Sequence, residues 1–428
     1  MDNKYIRIRK SPPLKGTVKI DGAKNAALPL LAASLLATEE VILEDVPKLK
    51  DIENMIAVLR HLGSKVEYIE ENTLRIDSNG VNSYETPYQL MDKMRASFLV
   101  MGPLLTKLGR TKTALPGGCA IGARPIDLHL KGFEALGAVI DQGGAQIGAK
   151  APKDGLMGNN VYLDFPSVGA TQNIMMAASL ANGVTVIENA AKEPEIVDLA
   201  NFMNKMGAKI RGAGTGSITI RGVRRLRGAR HKIIPDRIEA STFLVAAAMT
   251  QGEVIIENVI ASHIMPVIAK LIEMGNTVIE NEYEDKIIII GTKDPGPTKI
   301  RTLPYPGFPT DAQAQFMTYM TICNGISTVE ENVFENRFMH VKELEKMGAL
   351  ISTHGSQVAS IRGVPSLKGA KVNATDLRAG AALVIAGLVA EGTTEVHETY
   401  HIYRGYHNFV EKLRNLGADI EEIEIAGE

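Results

Sequence analysis

Four bases stand at the beginnings of small-residue stretches of helical composition: Lys24 in DGAKNAA, Arg95 in DKMRASF, Arg237 in PDRIEAS and Arg378 in DLRAGAA. A helix start already carries about half a positive charge and free N–H groups, so a base there needs a further favourable term. A bound phosphate or carboxylate supplies one; for any single base, an ion pair with the neighbouring Asp is the alternative. The segment LPGGCAIGARP adds a thiol, with Pro116, Gly117, Gly118 and Gly122 predicting an exposed loop and Arg124 beside Cys119 favouring a reactive sulfur. Its glycine spacing fits neither a Walker loop nor a dinucleotide fingerprint. Cys323, in the apolar run FMTYMTIC, is expected in the core. Asp311 in FPTDAQAQ, Arg337 in ENRF and Arg404 in IYRGY are polar candidates that an ordinary N-cap or a solvated surface explains equally well. His397 to His401 spells H-E-x-x-H, which holds zinc only on a helix.

The elements that must position these residues come in repeats. A helix-like segment ending in Leu-Gly or Met-Gly and running into an alternating strand recurs at Gly63, Gly137, Gly207, Gly275, Gly348 and Gly417, every 68 to 74 residues. A second recurrent piece is a small-residue helix running into a β-branched strand, as in AASLANGVTVIEN and AAAMTQGEVIIEN. Each unit therefore reads approximately βαβαββ. In this frame His397 and Glu398 end a strand, so no metal site is expected. The last unit closes with one strand of its hairpin, and the amino-terminal YIRIRK is inferred to supply the other. Three units per domain give one domain of residues 22–233 and a second of 1–21 plus 234–428, with the active site expected between them; an open six-unit solenoid is the alternative.

Length and composition bound the rest. A chain of 428 residues exceeds what one core usually organises. Its 47 Lys+Arg against 49 Asp+Glu give no bulk attraction to nucleic acid or anionic membrane, so any anion site is local. Two cysteines make no disulfide framework, the start MDNKYIRIRKSPPLKG lacks an apolar signal core, and the longest apolar stretch, Ala26 to Ala37, is too short to span a bilayer, which points to a cytoplasmic protein without membrane insertion.

Ten motifs in order carry a resemblance over essentially the whole chain: DGAKNAALP from Asp21, VPKLKD from Val46, MRAS from Met94, LPGGCAIGARPIDLH from Leu115, SVGAT from Ser167, PDRIE from Pro235, FPTD from Phe308, ENRF from Glu335, DLRAGAAL from Asp376 and RGY from Arg404. They resemble the UDP-N-acetylglucosamine 1-carboxyvinyltransferases, enolpyruvyl transferases that open peptidoglycan synthesis. The resemblance implies a two-domain inside-out α/β barrel of six repeats, three per pseudo-threefold domain, with no metal or organic cofactor. It implies that Lys24, Asn25, Arg124 and Arg404 hold phosphoenolpyruvate, that Cys119 donates a proton to C3, and that Asp311 positions or deprotonates the sugar hydroxyl. Arg95, Arg124, Pro125, Ile126, Asp127, Leu128, Ser167, Val168, Asp311 and Val333 would line the UDP-N-acetylglucosamine side, with Lys50, Arg337, Asp376 and Arg378 in support. The epoxide fosfomycin would alkylate Cys119. The family usually has acids where this chain has Tyr403 and His407, on either side of Arg404. A shikimate-pathway enolpyruvyl transferase and a catalytically silent repeat scaffold are the competing readings.

Overall fold

The structure is a computed structural model that describes residues 4–86, 88–91, 95–114, 126–143 and 146–424, without the side chains of residues 88, 91, 95–97 and 282. Its described residues form two compact units, and the chain passes between them at Asp21–Gly22 and at Ile234–Pro235. Each unit has its own apolar core.

In the unit that combines the chain up to Asp21 with the chain from Pro235 on, three helices lie in the middle: Arg237–Met249, Gln313–Met320 and Leu377–Val389. Every residue of the first from Ile238 on is buried, as is every residue of the second. Helices without a charged face belong inside, and the small residues of the first and third let them approach their neighbours. Three four-stranded sheets cover them, and their inner strands bury alternate residues, as with Ile6 and Ile8, Val254 and Ile256, and Ala359 and Ile361. Strand Lys4–Arg9 lies between Thr393–His397 and Ile420–Glu424, antiparallel to both, so the start of the chain is built into its last repeat.

The unit from Gly22 to Ile234 repeats this plan around helices Lys24–Ala33, Met101–Leu108 and Val168–Ala178. One exchange ties the repeats to the crossings. Strand Lys15–Lys19, which opens the first repeat, pairs in parallel with Glu253–Glu257 of the fourth, while Arg230–Lys232, which opens the fourth, pairs in parallel with Val41–Glu44 of the first. The six repeat glycines all have positive φ, from 87° at Gly348 to 108° at Gly63, which L-residues adopt only under strain. His397 ends its strand, Glu398 turns left-handed at φ 57° and His401 lies in the next helix, so H-E-x-x-H is broken by a turn. No helix among the described residues is long and apolar enough to cross a membrane.

Close packing explains the recurring Ile-Arg-Gly. A Cβ at Gly222 would stand 1.6 Å from the Ala181 carbonyl oxygen, and one at Gly363 1.6 Å from that of Cys323, so each strand exit lies against the end of a central helix. Gly363→Ala is therefore expected to lower the unfolding free energy by about 2 kcal/mol, read as a shifted denaturant midpoint. Gly296→Ala, with nothing within 4 Å, should leave the midpoint in place; equal midpoints for the two variants would contradict the packing argument.

Candidate active site

In the Gly22–Ile234 unit the candidates gather at helix starts. Lys24 is the first residue of its helix and only 7% exposed, with Nζ 3.2 Å from Asp51 Oδ2. Asp51 is buried in the first turn of helix Lys50–His61, where a carboxylate also suits the helix dipole. Asn25 follows Lys24, half-buried. Lys50 instead stays exposed and pairs with Glu53 at 2.8 Å, so it is the neighbouring Asp51 that reaches the Lys24 ammonium. Ser167 caps helix Val168–Ala178, its Oγ accepting from the Ala170 N–H at 3.3 Å. Ile126, Asp127 and Leu128 open helix Asp127–Ala135. Next to them the Asn173 amide donates to His129 Nδ1 at 3.1 Å, and burial pushes the imidazole down to about 4. The ring is then neutral near pH 7, with its proton on Nε2. Cys119, Arg124 and Pro125 lie outside the described residues, as does the side chain of Arg95.

In the other unit a carboxylate sits between two guanidiniums. Asp311 lies in the short turn before helix Gln313–Met320. Its Oδ1 accepts from Arg337 Nη2 at 2.9 Å and its Oδ2 is 3.5 Å from Arg378 Nη2. Both arginines are almost fully buried, whereas the Asp311 side chain keeps 27% of its surface exposed. Burial works against the Arg378 charge, yet Tyr406, Asp311 and Asp236 outweigh it and raise its pKa above the ordinary guanidinium value. The Arg378 guanidinium also lies over the Tyr406 ring, 5.2 Å from its centroid. Asp376 caps helix Leu377–Val389, accepting from the N–H groups of Arg378 and Ala379. Val333 is half-buried on the loop that leads to Arg337, its N–H donating to Glu331.

Arg404 caps the short helix Tyr400–Tyr403 at its C-terminal end. Two side chains close to it in sequence are both engaged: the Tyr403 hydroxyl donates to Glu422, and His407 Nδ1 lies 3.3 Å from Asp21 Oδ2. Lys412 Nζ bridges Asp21 at 2.8 Å and the buried Glu239 at 2.6 Å. Burial opposes the Asp21 charge, but His407 and Lys412 hold its pKa below the usual carboxylate value; burial pushes Glu239 up to about 7 despite Lys412.

Three polar helix starts thus carry side-chain caps, from Ser167, Asp236 and Asp376, while Ala23 and Ala312 cap without side-chain bonds. Sequence reasoning missed Asp51, whose only signal was the Asp closing VPKLKD. It also missed the hydroxyl pair of Tyr406 and Thr242, 2.9 Å apart and approached by Gln315 Nε2, which joins the central helices beneath Arg378. Chemically, the Arg–Asp–Arg arrangement orients a partly exposed carboxylate, as a hydrogen-bond acceptor for a substrate hydroxyl requires.

Residues 8–413 match the family described as EPSP synthase (3-phosphoshikimate 1-carboxyvinyltransferase). A UDP-N-acetylglucosamine 1-carboxyvinyltransferase of Finegoldia magna is 67% identical over 98% of this chain and 99% of its own. UDP-N-acetylglucosamine 1-carboxyvinyltransferase 1 of Caldanaerobacter subterraneus is 60% identical over 98% and 99%. Among solved structures, the enolpyruvyl transferase NikO from Streptomyces tendae superposes with a TM-score of 0.87 at 23% identity, over 98% of both chains, a likeness of fold. With its two α/β units of repeated helices and sheets, the chain belongs to the EPSP synthase family.

Proposed function

We propose that this chain transfers the enolpyruvyl group of phosphoenolpyruvate to the 3-hydroxyl of UDP-N-acetylglucosamine, releasing phosphate, as the first committed step of peptidoglycan synthesis. The observation that carries this is the partly exposed Asp311 carboxylate between Arg337 and Arg378, in a chain 67% identical to a protein named for that reaction. The sugar hydroxyl oxygen attacks C2 of phosphoenolpyruvate while its proton passes to Asp311, and C3 takes a proton from the Cys119 thiol. The resulting tetrahedral ketal then returns a C3 proton to the Cys119 thiolate as its C2–O–phosphate bond breaks, leaving the enolpyruvyl ether and free phosphate. A thiol with an ordinary pKa of about 8.5 is mostly protonated near neutrality, as a donor must be.

Lys24, Asn25, Arg124 and Arg404 take the phosphate and carboxylate of phosphoenolpyruvate in this reading, with the Lys24 helix N-terminus adding its dipole. Asp51 pairs with the Lys24 ammonium and aims it. Arg95, the 124–128 segment, Ser167, Val168 and Val333 take the nucleotide sugar, and the two buried arginines with Asp376 hold Asp311. A cytoplasmic location belongs to the same reading, and a chain with two cysteines fits it.

Phosphate release measured with each acceptor tests the assignment: turnover with UDP-N-acetylglucosamine and none with shikimate 3-phosphate is expected, and the reverse pattern refutes it. Asp311→Asn, which keeps shape and removes the base, should lower kcat by a factor on the order of 10² to 10⁴; a change under twofold would show that Asp311 takes no part. Fosfomycin should add to Cys119 alone by peptide mass spectrometry. Cys323 is 2% exposed and burial pushes its thiol up to about 12, which leaves it protonated and unreactive; an adduct on Cys323 and none on Cys119 would overturn the proton-donor assignment.

A further inference from the structure

In four repeats the residue after the strand that follows the central helix turns left-handed: Asp45, Asn189, Asn258 and Glu398 have φ between 54° and 57°. The asparagines show what that slot does for the fold. Asn189 Nδ2 donates to the Leu163 carbonyl at 2.8 Å and Asn258 Nδ2 to that of Ile20 at 2.7 Å, each tying its turn to a neighbouring strand or its extension.

The fifth repeat departs from this. Strand Ile326–Glu330 is followed by Glu331, which is absent from the left-handed region and fully buried. Its Oε1 accepts from Thr302 Oγ1 at 2.8 Å and from the N–H groups of Val333 and Phe334 at 2.9 and 3.1 Å; its Oε2 accepts from Thr310 Oγ1 at 3.0 Å. It makes no ion pair among the described residues, so four neutral donors sustain a buried carboxylate. That is a costlier solution than the neutral amide that two sister repeats use at the same slot. What it adds is reach. Thr310 precedes Asp311, the 333–334 backbone leads to Arg337, and the Arg337–Asp311 bond of 2.9 Å closes the ring.

We propose that Glu331 is a positioning residue for the acceptor-sugar side of the site, holding Asp311 and the 333–337 loop in one register. This rests on the reading of Asp311 and Val333 as contacts of the nucleotide sugar. Glu331 itself touches no substrate; it acts through Thr310 and the loop backbone.

Steady-state phosphate release with Glu331→Ala, Glu331→Gln and Thr310→Val separates positioning from general support. Glu331→Ala should raise KM for UDP-N-acetylglucosamine roughly tenfold and Thr310→Val about threefold, with KM for phosphoenolpyruvate within about twofold of wild type. Glu331→Gln keeps the shape and an acceptor for the two N–H groups, and should return the sugar KM to within about threefold. Equal rises in both KM values, or no change in a variant with the wild-type circular dichroism, overturns the proposal. Should Glu331→Ala fail to fold, Thr310→Val carries the same comparison. A wild-type chain without turnover on these substrates would overturn the proposed function instead. The register is then read from a crystal structure of Thr310→Val: loss of the Arg337–Asp311 hydrogen bond is expected, and its retention at 2.9 Å contradicts the proposal.

Discussion

Two guanidiniums buried in one unit need counter-charge, and the Asp311 carboxylate is the group that reaches both. Taking each ion out of water costs several kcal/mol after relaxation. At 3.5 Å from Arg378 and an effective dielectric near 20, a carboxylate returns about 5 kcal/mol per pair. Arg337 and Arg378 therefore depend on Asp311, and Asp311 is held by them. Its remaining exposure distinguishes it from a purely structural ion pair, because a group sealed on every side could not touch a substrate.

The scaffold explains why this cluster stands at helix starts. Central helices that are buried on every side leave charged residues only near their ends, and their starts already present N–H donors and positive potential. Asp236 and Asp376 satisfy those donors in two repeats of one unit, while Asp311 in the third turns its carboxylate to the arginines instead. The same slot in the other unit holds Lys24 against Asp51. Repetition thus supplied equivalent positions, and divergence at each gave a cap, a cation or an acid.

Much of this could be read from the amino-acid order. The repeat glycines, the alternating strands and the small-residue helices are local signals, and the spacing of Gly63 to Gly417 was enough to count six units. The place of the first strand followed from the incomplete hairpin of the last. Burial of charge was another matter. Asp51 in the first turn of a helix reads as a dipole partner on the surface, and Glu331 after a strand reads as one of many exposed acids. Only tertiary neighbours distinguish them: the Lys24 ammonium for one, Thr302, Thr310 and two backbone N–H groups for the other. Lys50 shows the converse, a base in a family motif whose side chain pairs with Glu53 in solvent.

A double-mutant cycle on the Arg337–Asp311 pair tests the central interaction most directly. Asp311→Asn, Arg337→Met and the double variant would be compared by unfolding free energy in denaturant. A buried, mutually dependent pair predicts a coupling energy on the order of 1 to 3 kcal/mol, the second substitution costing much less once the first has been made. Additive losses, with coupling below about 0.5 kcal/mol, would mean that the two charges are held independently and would contradict the account.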